Sequence, residues 1–248
     1  MSKQARIIAH RGVARHYPEN TLAALLAAEQ AGADAVELDV QFSSDGVPMV
    51  LHDALLERTT DRHGDVGEHT AEQLAGIGAH EPQRFGDQFV GEVIPSLSHC
   101  CTELAGTTSL QVFIELKPES LNRHPVHLGI PAVLEASAAL GTRRVIISYN
   151  DGALQTTRSL AGCAIGWVLP AFDTATIERA RALQPDYLFC DRLRLPAEPT
   201  ALPDGPWAWA AYEVENGEQG QALLRQGVHW LETMAPQELR AELAPSGA

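Results

Sequence analysis

Short runs rich in Val, Ile, Leu and aromatic residues alternate along this chain with stretches whose apolar residues recur at helical spacing. Eight runs have the length of strands: residues 6–10, 35–40, 110–117, 144–149, 164–169, 186–190, 207–214 and 228–232. Amphipathic stretches over 21–31, 130–139, 152–160, 174–183 and 219–225 fall between them. Strands that alternate with helices predict a parallel sheet, and eight such units predict a closed (β/α)8 TIM-type barrel. A ninth run, 47–52, follows the turn signal Ser43-Ser44-Asp45-Gly46. An Asp-Gly turn makes a hairpin. The run is thus predicted to lie antiparallel to the second strand, as an arm that folds His52 back over the barrel mouth. Residues 54–93 then read as an insertion of loops with one short helix near 70–77, placed where barrels carry a lid or substrate-selecting cap. A last helix is expected after Pro236, with 245–248 frayed. No low-complexity linker or internal repeat divides the chain, so residues 1–248 read as one domain.

The barrel prediction gives the polar residues at strand ends a meaning, because such barrels place their chemistry at the C-terminal ends of the strands. His10 and Arg11 end the first run, Glu37 and Asp39 stand near the end of the second, and Glu115 and Lys117 end the third. The two-residue period sets Glu37 and Asp39 on one side of the sheet, about 7 Å apart along the strand. Val36, Leu38 and Val40, like Ile114 and Leu116, take the other side and face the helices. Three carboxylates gathered without a cation would repel one another and resist ionisation. A hard divalent ion relieves this, and an all-oxygen ligand set points to Mg²⁺ or Ca²⁺ over zinc. His10 and His52 supply a base and an acid. Arg11 can grip phosphate oxygens with a bidentate fork and Lys117 as a point charge. Three carboxylates, one divalent ion and two cations sum to about +1, which suits a phosphodiester monoanion gaining charge in its transition state. Asn20 reads as the N-cap of the first helix, with Thr21 opening it. Glu19 reads as a brace acting through His10 or Arg11.

Composition narrows the partners. With 45% hydrophobic residues the chain can bury one sizeable core. A net charge of −14 argues against nucleic acid and against stable association with anionic membranes. The expected partner is a small molecule. The chain starts directly into its first strand without a signal-type apolar segment, and no stretch of eighteen apolar residues occurs. Cys100, Cys101, Cys163 and Cys190 show no metal-type spacing and read as reduced thiols of a cytoplasmic protein.

Taken in order, several segments resemble the glycerophosphodiester phosphodiesterase family, particularly its compact bacterial cytoplasmic members. They are Ala9-His10-Arg11-Gly12, Pro18-Glu19-Asn20-Thr21, Glu37-Leu38-Asp39-Val40, Asp45-Gly46 followed by His52-Asp53, Arg58-Thr59-Thr60, Ile94-Pro95-Ser96-Leu97 and Ile114-Glu115-Leu116-Lys117. Weaker likeness continues through Ile147-Ser148-Tyr149, Tyr212-Glu213-Val214 and Gly227-Val228. The resemblance implies a TIM-type barrel that hydrolyses a glycerophosphodiester to glycerol 3-phosphate and an alcohol. It implies a divalent metal on Glu37, Asp39 and Glu115, acid–base work shared by His10 and His52, and substrate binding by Arg11, Lys117 and Tyr212. The alternative on the same barrel is a phosphodiesterase for lysophospholipid or phosphoinositide, which would want an apolar rim; Phe85, Phe89 and Val90 are a thin one. A non-catalytic phosphate-ester binder would have lost a histidine or a metal acid, and none is missing. Three positions depart from the family's pattern: His99, where an acidic residue is usual; Glu215, where Asn is usual; and Glu232-Thr233, where Thr-Asp is usual. They are expected to lie away from the metal set, near the glycerol or alcohol end of the substrate.

Overall fold

The computed structural model describes residues 5–197 and 200–244. Its strands are β1 (Arg6–Ala9), β2 (Ala35–Phe42), β3 (Pro48–Val50), β4 (Gln111–Leu116), β5 (Arg144–Ser148), β6 (Ala164–Val168), β7 (Tyr187–Asp191), β8 (Ala208–Tyr212) and β9 (Trp230–Thr233). Eight of them pair in parallel in the order β1-β2-β4-β5-β6-β7-β8-β9, and β9 pairs back onto β1. The ring is the predicted closed (β/α)8 barrel. The helices are α1 (Leu22–Gln30), α2 (Ala71–Leu74), α3 (Pro82–Phe85), α4 (Leu97–Thr107), α5 (Pro118–Arg123), α6 (Val126–Ala136), α7 (Asp151–Ala161), α8 (Thr174–Leu183), α9 (Gly217–Gln226) and α10 (Pro236–Leu243).

Closure explains why β2 is buried at all eight of its positions. A strand covered by helices outside and by its own barrel inside has no wet face. Val36, Leu38 and Val40 join Ile114 and Leu116 in the apolar layer beneath the helices. The alternate positions point inward, where Ile8, Phe113, Val145, Phe189 and Trp230 fill the barrel.

The hairpin forms as its turn chemistry predicts. β3 pairs antiparallel with β2. Ser43 Oγ donates to Asp45 Oδ1 at 2.6 Å, and Gly46 takes φ +81°. The insertion carries more structure than the single expected helix. A 3₁₀ turn (Val66–Glu68), α2 and α3 are all present, and α2 is only four residues long. Met49, Leu56, Val66, Leu74 and Ile94 form a small core of its own beneath it. The helix predicted after Pro236 is α10, and the expected fraying of 245–248 lies outside the described residues. All four cysteines are free thiols. Among the described residues, no helix is long and apolar enough to cross a membrane.

Candidate active site

The first strand delivers its cargo through a sharp turn. His10 extends the β1 ladder by donating its N–H to Thr233 O at 2.9 Å. Arg11 and Gly12 then adopt positive φ, +54° and +80°. A Cβ at residue 12 would stand 2.4 Å from the Ala24 carbonyl carbon, so only glycine lets the chain pass α1 this closely. The turn aims the Arg11 N–H at Glu37 Oε2, 3.1 Å away. Its side chain reaches Glu19 Oε1 at 2.8 Å and Asp39 Oδ2 at 3.3 Å.

Register does the rest. Asp39 sits directly opposite Glu115 across the β2–β4 pair, and Glu37 lies one pleat below on the same inward face. Glu37, Asp39 and Glu115 each offer a carboxylate oxygen, and these oxygens lie within 4.8 Å of one another. Lys117 Nζ lies between two of them, 2.8 Å from Asp39 Oδ1 and 3.0 Å from Glu115 Oε1. Glu37 Oε1 is buried without a hydrogen-bond partner, and Asp39 Oδ1 and Glu115 Oε1 have only the Lys117 ammonium beside them. Buried carboxylate oxygens left in that state fit a hard divalent cation.

The arm brings in the second histidine. Leu51 N–H donates to Asp39 O at 3.0 Å, and Gln41 Nε2 donates to His52 O at 2.8 Å, so the arm is tied to the inward face of β2. His52 Nδ1 lies 2.6 Å from Asp53 Oδ1. Asp53 Oδ2 accepts from Arg58 Nε at 2.5 Å, and Arg58 donates twice to Glu19, at 2.7 and 2.8 Å. A chain of polar contacts thus runs from His52 through Asp53, Arg58, Glu19 and Arg11 to Asp39. An imidazole held at Nδ1 by a carboxylate keeps its Nε2 free for a reacting group. His10 and His52 line one enclosed cavity of about 210 Å³ together with Arg11, Glu115, Lys117 and Tyr212. Tyr212 Oη is 3.1 Å from Tyr149 Oη, also on the cavity wall.

Burial dominates the electrostatics. It pushes Glu37 well above the ordinary carboxylate range, helped by Asp39, Glu232 and Glu115. It raises Glu115 as well, against the pull of Lys117. For Asp39 the balance reverses: Lys117 and Arg11 outweigh burial and hold it low. Burial, reinforced by the Arg11 charge, lowers His10 to about 3. Its imidazole is therefore neutral near pH 7.

All eight residues read from the sequence meet at this mouth. Other readings change. Thr21, not Asn20, caps α1, with its side chain accepting from Ala24 N–H. Asn20 takes φ +58° and braces Asp39 from two sides: Nδ2 donates to Oδ2 at 2.9 Å, and Oδ1 accepts the Asp39 N–H at 3.1 Å. Glu19 braces through Arg11 and also through Arg58. Glu232 is not away from the metal set. It is 3% exposed, lies 3.9 Å from His10 Nε2, and pairs through β1 register with Ile8 on the inward face. Burial and the nearby charges of Glu115 and Asp39 raise its carboxyl well above the usual range. A fourth carboxylate brings the site's count with one divalent ion to zero. Its spacing of two from the inward Trp230 was a signal for this placement. Glu215 is exposed and paired with Arg192 at 3.2 Å, and His99 is exposed in the first turn of α4. Neither lines the cavity, whereas Glu213 does, 3.9 Å from His10 Nδ1.

Known proteins resemble this chain in sequence and fold. The sequence pattern of the Glycerophosphoryl diester phosphodiesterase family matches residues 10–190. A glycerophosphodiester phosphodiesterase of Bacillus altitudinis is 40% identical over 185 residues, covering 73% of this chain and 69% of the relative. Another, from Caldanaerobacter subterraneus, is 43% identical over 111 residues, and there the match spans only 44% of the relative's length. The solved structure of an Oleispira antarctica phosphodiesterase in complex with the product sn-glycerol-3-phosphate superposes with a TM-score of 0.83 at 27% identity, covering 96% of each chain. A pattern that starts at His10 and takes in both acid-bearing strands and the arm leaves one conclusion: the chain belongs to the glycerophosphoryl diester phosphodiesterase family.

Proposed function

We propose that this protein is a cytoplasmic, metal-dependent hydrolase of water-soluble glycerophosphodiesters, releasing glycerol 3-phosphate and an alcohol, and that barrel and insertion work as one domain. The carboxylate cluster of Glu37, Asp39 and Glu115 carries this reading, because it meets Arg11 and Lys117 at the wall of the cavity that Glu115 and both histidines line. A Mg²⁺ or Ca²⁺ ion on the three carboxylates would polarise a phosphoryl oxygen and offset developing charge. Arg11 and Lys117 bind the remaining phosphoryl oxygens, and Tyr212 contacts the substrate beside them. His10, neutral because it is buried, takes the proton of the attacking oxygen. As the new P–O bond forms, the P–O bond to the alcohol breaks, and His52 gives its proton to the departing oxygen. Asp53 holds His52 in the tautomer and orientation this step needs.

Water-soluble substrates suit the outer face. Phe85 and Phe89 pack on each other, and Phe89 on Tyr17, so only the single Val90 of that rim stands out at 66% exposure. The test is release of choline or ethanolamine, with glycerol 3-phosphate, from the matching glycerophosphodiester in Mg²⁺ or Ca²⁺. Chelation should stop it, and the Glu37→Ala, Asp39→Ala double variant should lose about 10³-fold or more in kcat. Undiminished turnover by that variant overturns the metal assignment. Turnover of micellar lysophospholipid alone overturns the soluble-substrate assignment.

A further inference from the structure

The enclosed cavity is not the whole mouth. An open groove of about 740 Å³ adjoins it, sharing His52, Lys117 and Tyr149, and continues outward past Leu55, Glu119 and Arg194. Its size falls in the range of small-molecule sites. Glu115 lines the inner compartment with His10 and Arg11, and Glu37 and Asp39 cluster with Glu115, so on the reading above the phosphoryl group reacts there. His52, on the shared wall, stands where the departing oxygen would cross from one compartment to the other.

The cations lining the two compartments are not in the same state. Arg11 is engaged by Glu19 and Asp39, and Lys117 by Asp39 and Glu115. Arg58, behind them, is held by Glu19 and Asp53. Arg194 makes no ion pair among the described residues. Its only side-chain bond there is from Nη1 to Pro170 O at 2.5 Å. The loop after β7 fixes this placement: Arg194 N–H donates to Asp191 O at 2.9 Å, and Asp191 Oδ1 accepts the Leu193 N–H at 2.8 Å. The neighbouring Arg192 is spent elsewhere, on Glu213 O at 2.6 Å and on Glu215. A guanidinium has five N–H donors. One tethered to a carbonyl at the wall of a groove, with no ion pair among the described residues, has donors left for an anion.

Resting on the diesterase reading above, we propose that the open groove receives the departing alcohol and that Arg194 selects diesters whose alcohol carries an anionic group. The chemistry that fits a planar fork is a carboxylate or a phosphate. Glu119, the exposed acid on the same wall, suits an ammonium on the same alcohol.

Glycerophosphoserine and glycerophosphoethanolamine form a matched pair, since serine is ethanolamine with an added carboxylate. The measurement is the ratio of kcat/KM for the two, in wild type, Arg194→Gln and Arg194→Lys. Wild type should favour the serine diester. Arg194→Gln should lower that ratio about tenfold, and Arg194→Lys should restore part of it. A diester of a phosphorylated alcohol in the same assay separates carboxylate from phosphate recognition. Thermal stabilisation by glycerophosphoserine under non-turnover conditions, in chelator, supplies a second readout. Turnover of both diesters with the ratio unmoved by Arg194→Gln overturns the Arg194 assignment and leaves the diesterase reading standing. Arg194-dependent stabilisation without turnover of either diester does the opposite. Absence of both binding and turnover removes both.

Discussion

Two layers of the barrel interior, one pleat apart, could hardly be less alike. In the lower layer the Phe113 ring makes edge contacts with Tyr187, Phe189 and Trp230 at centroid distances of 5.0, 5.2 and 5.7 Å. Beyond that layer the same strands present Glu115 after Phe113, Glu232 after Trp230, Glu37 and then Asp39 after Ala35, and His10 after Ile8. Two residues of strand rise separate the layers by about 6.6 Å. Apolar burial and aromatic contact stabilise the first. The second gathers four carboxylates with 8% exposure or less around two cations, an arrangement that costs stability unless further positive charge offsets it. The difference teaches that one set of strands supports and strains the fold at different heights, with the strain placed where the chemistry is.

Exchanging residues between the layers should separate stability from activity. Phe113→Ala leaves a cavity among three rings and should cost about 3–5 kcal/mol in urea unfolding. Glu115→Gln, one pleat above, should leave stability in chelator equal or higher while turnover falls about 10³-fold. Equal destabilisation by the two variants would break the comparison.

A smaller effect is expected at the upper layer's supports. Asn20→Ala removes both bonds that brace Asp39. Outer partners of metal ligands typically account for 10–100-fold in affinity or rate. Asn20→Ala should therefore weaken Mg²⁺ or Ca²⁺ binding by about that factor in calorimetry. If it instead lowered only the melting temperature, Asn20 would be a loop residue and nothing more.

The smallest effect is one of pH. Burial and neighbouring carboxylates raise the Glu232 carboxyl above its ordinary 4.5, so the folded chain binds that proton more tightly than the unfolded one. The stability this contributes is present below the ordinary carboxylate range and is lost as pH rises through the raised folded value. Glu232→Gln, measured in chelator, should gain stability relative to wild type as pH climbs toward neutrality. Adding divalent metal should narrow the gap. Parallel curves for the two proteins would remove Glu232 from the charged layer.

Local periodicity reached far into this protein. The alternation of strand and helix runs predicted eight parallel strands, and Asp45-Gly46 predicted the arm, because strand period and turn chemistry are properties of neighbouring residues. The inward set Glu37, Asp39 and Glu115 followed from the period of two once the barrel was assumed. Readings went astray where one residue type serves two purposes. Asn is both a good cap and a tolerant positive-φ residue, and only the placement of Asn20 against Asp39 decides between them. The short helices of the insertion rest on packing over Met49 and Ile94 more than on their own four-residue patterns. Glu232 lay in the right period, but its distance from His10 depends on β9 closing onto β1.

By itself, then, the sequence determined the barrel strands and the arm, their order, which side chains face inward and which chemistry they could perform. Tertiary structure alone decided which charges meet. The path from His52 through Asp53, Arg58, Glu19 and Arg11 to Asp39 joins residues up to 39 positions apart, and Arg194 reaches the groove from the far side of the ring. Those meetings are set by strand register and ring closure. Both are global constraints that no window of neighbouring residues contains.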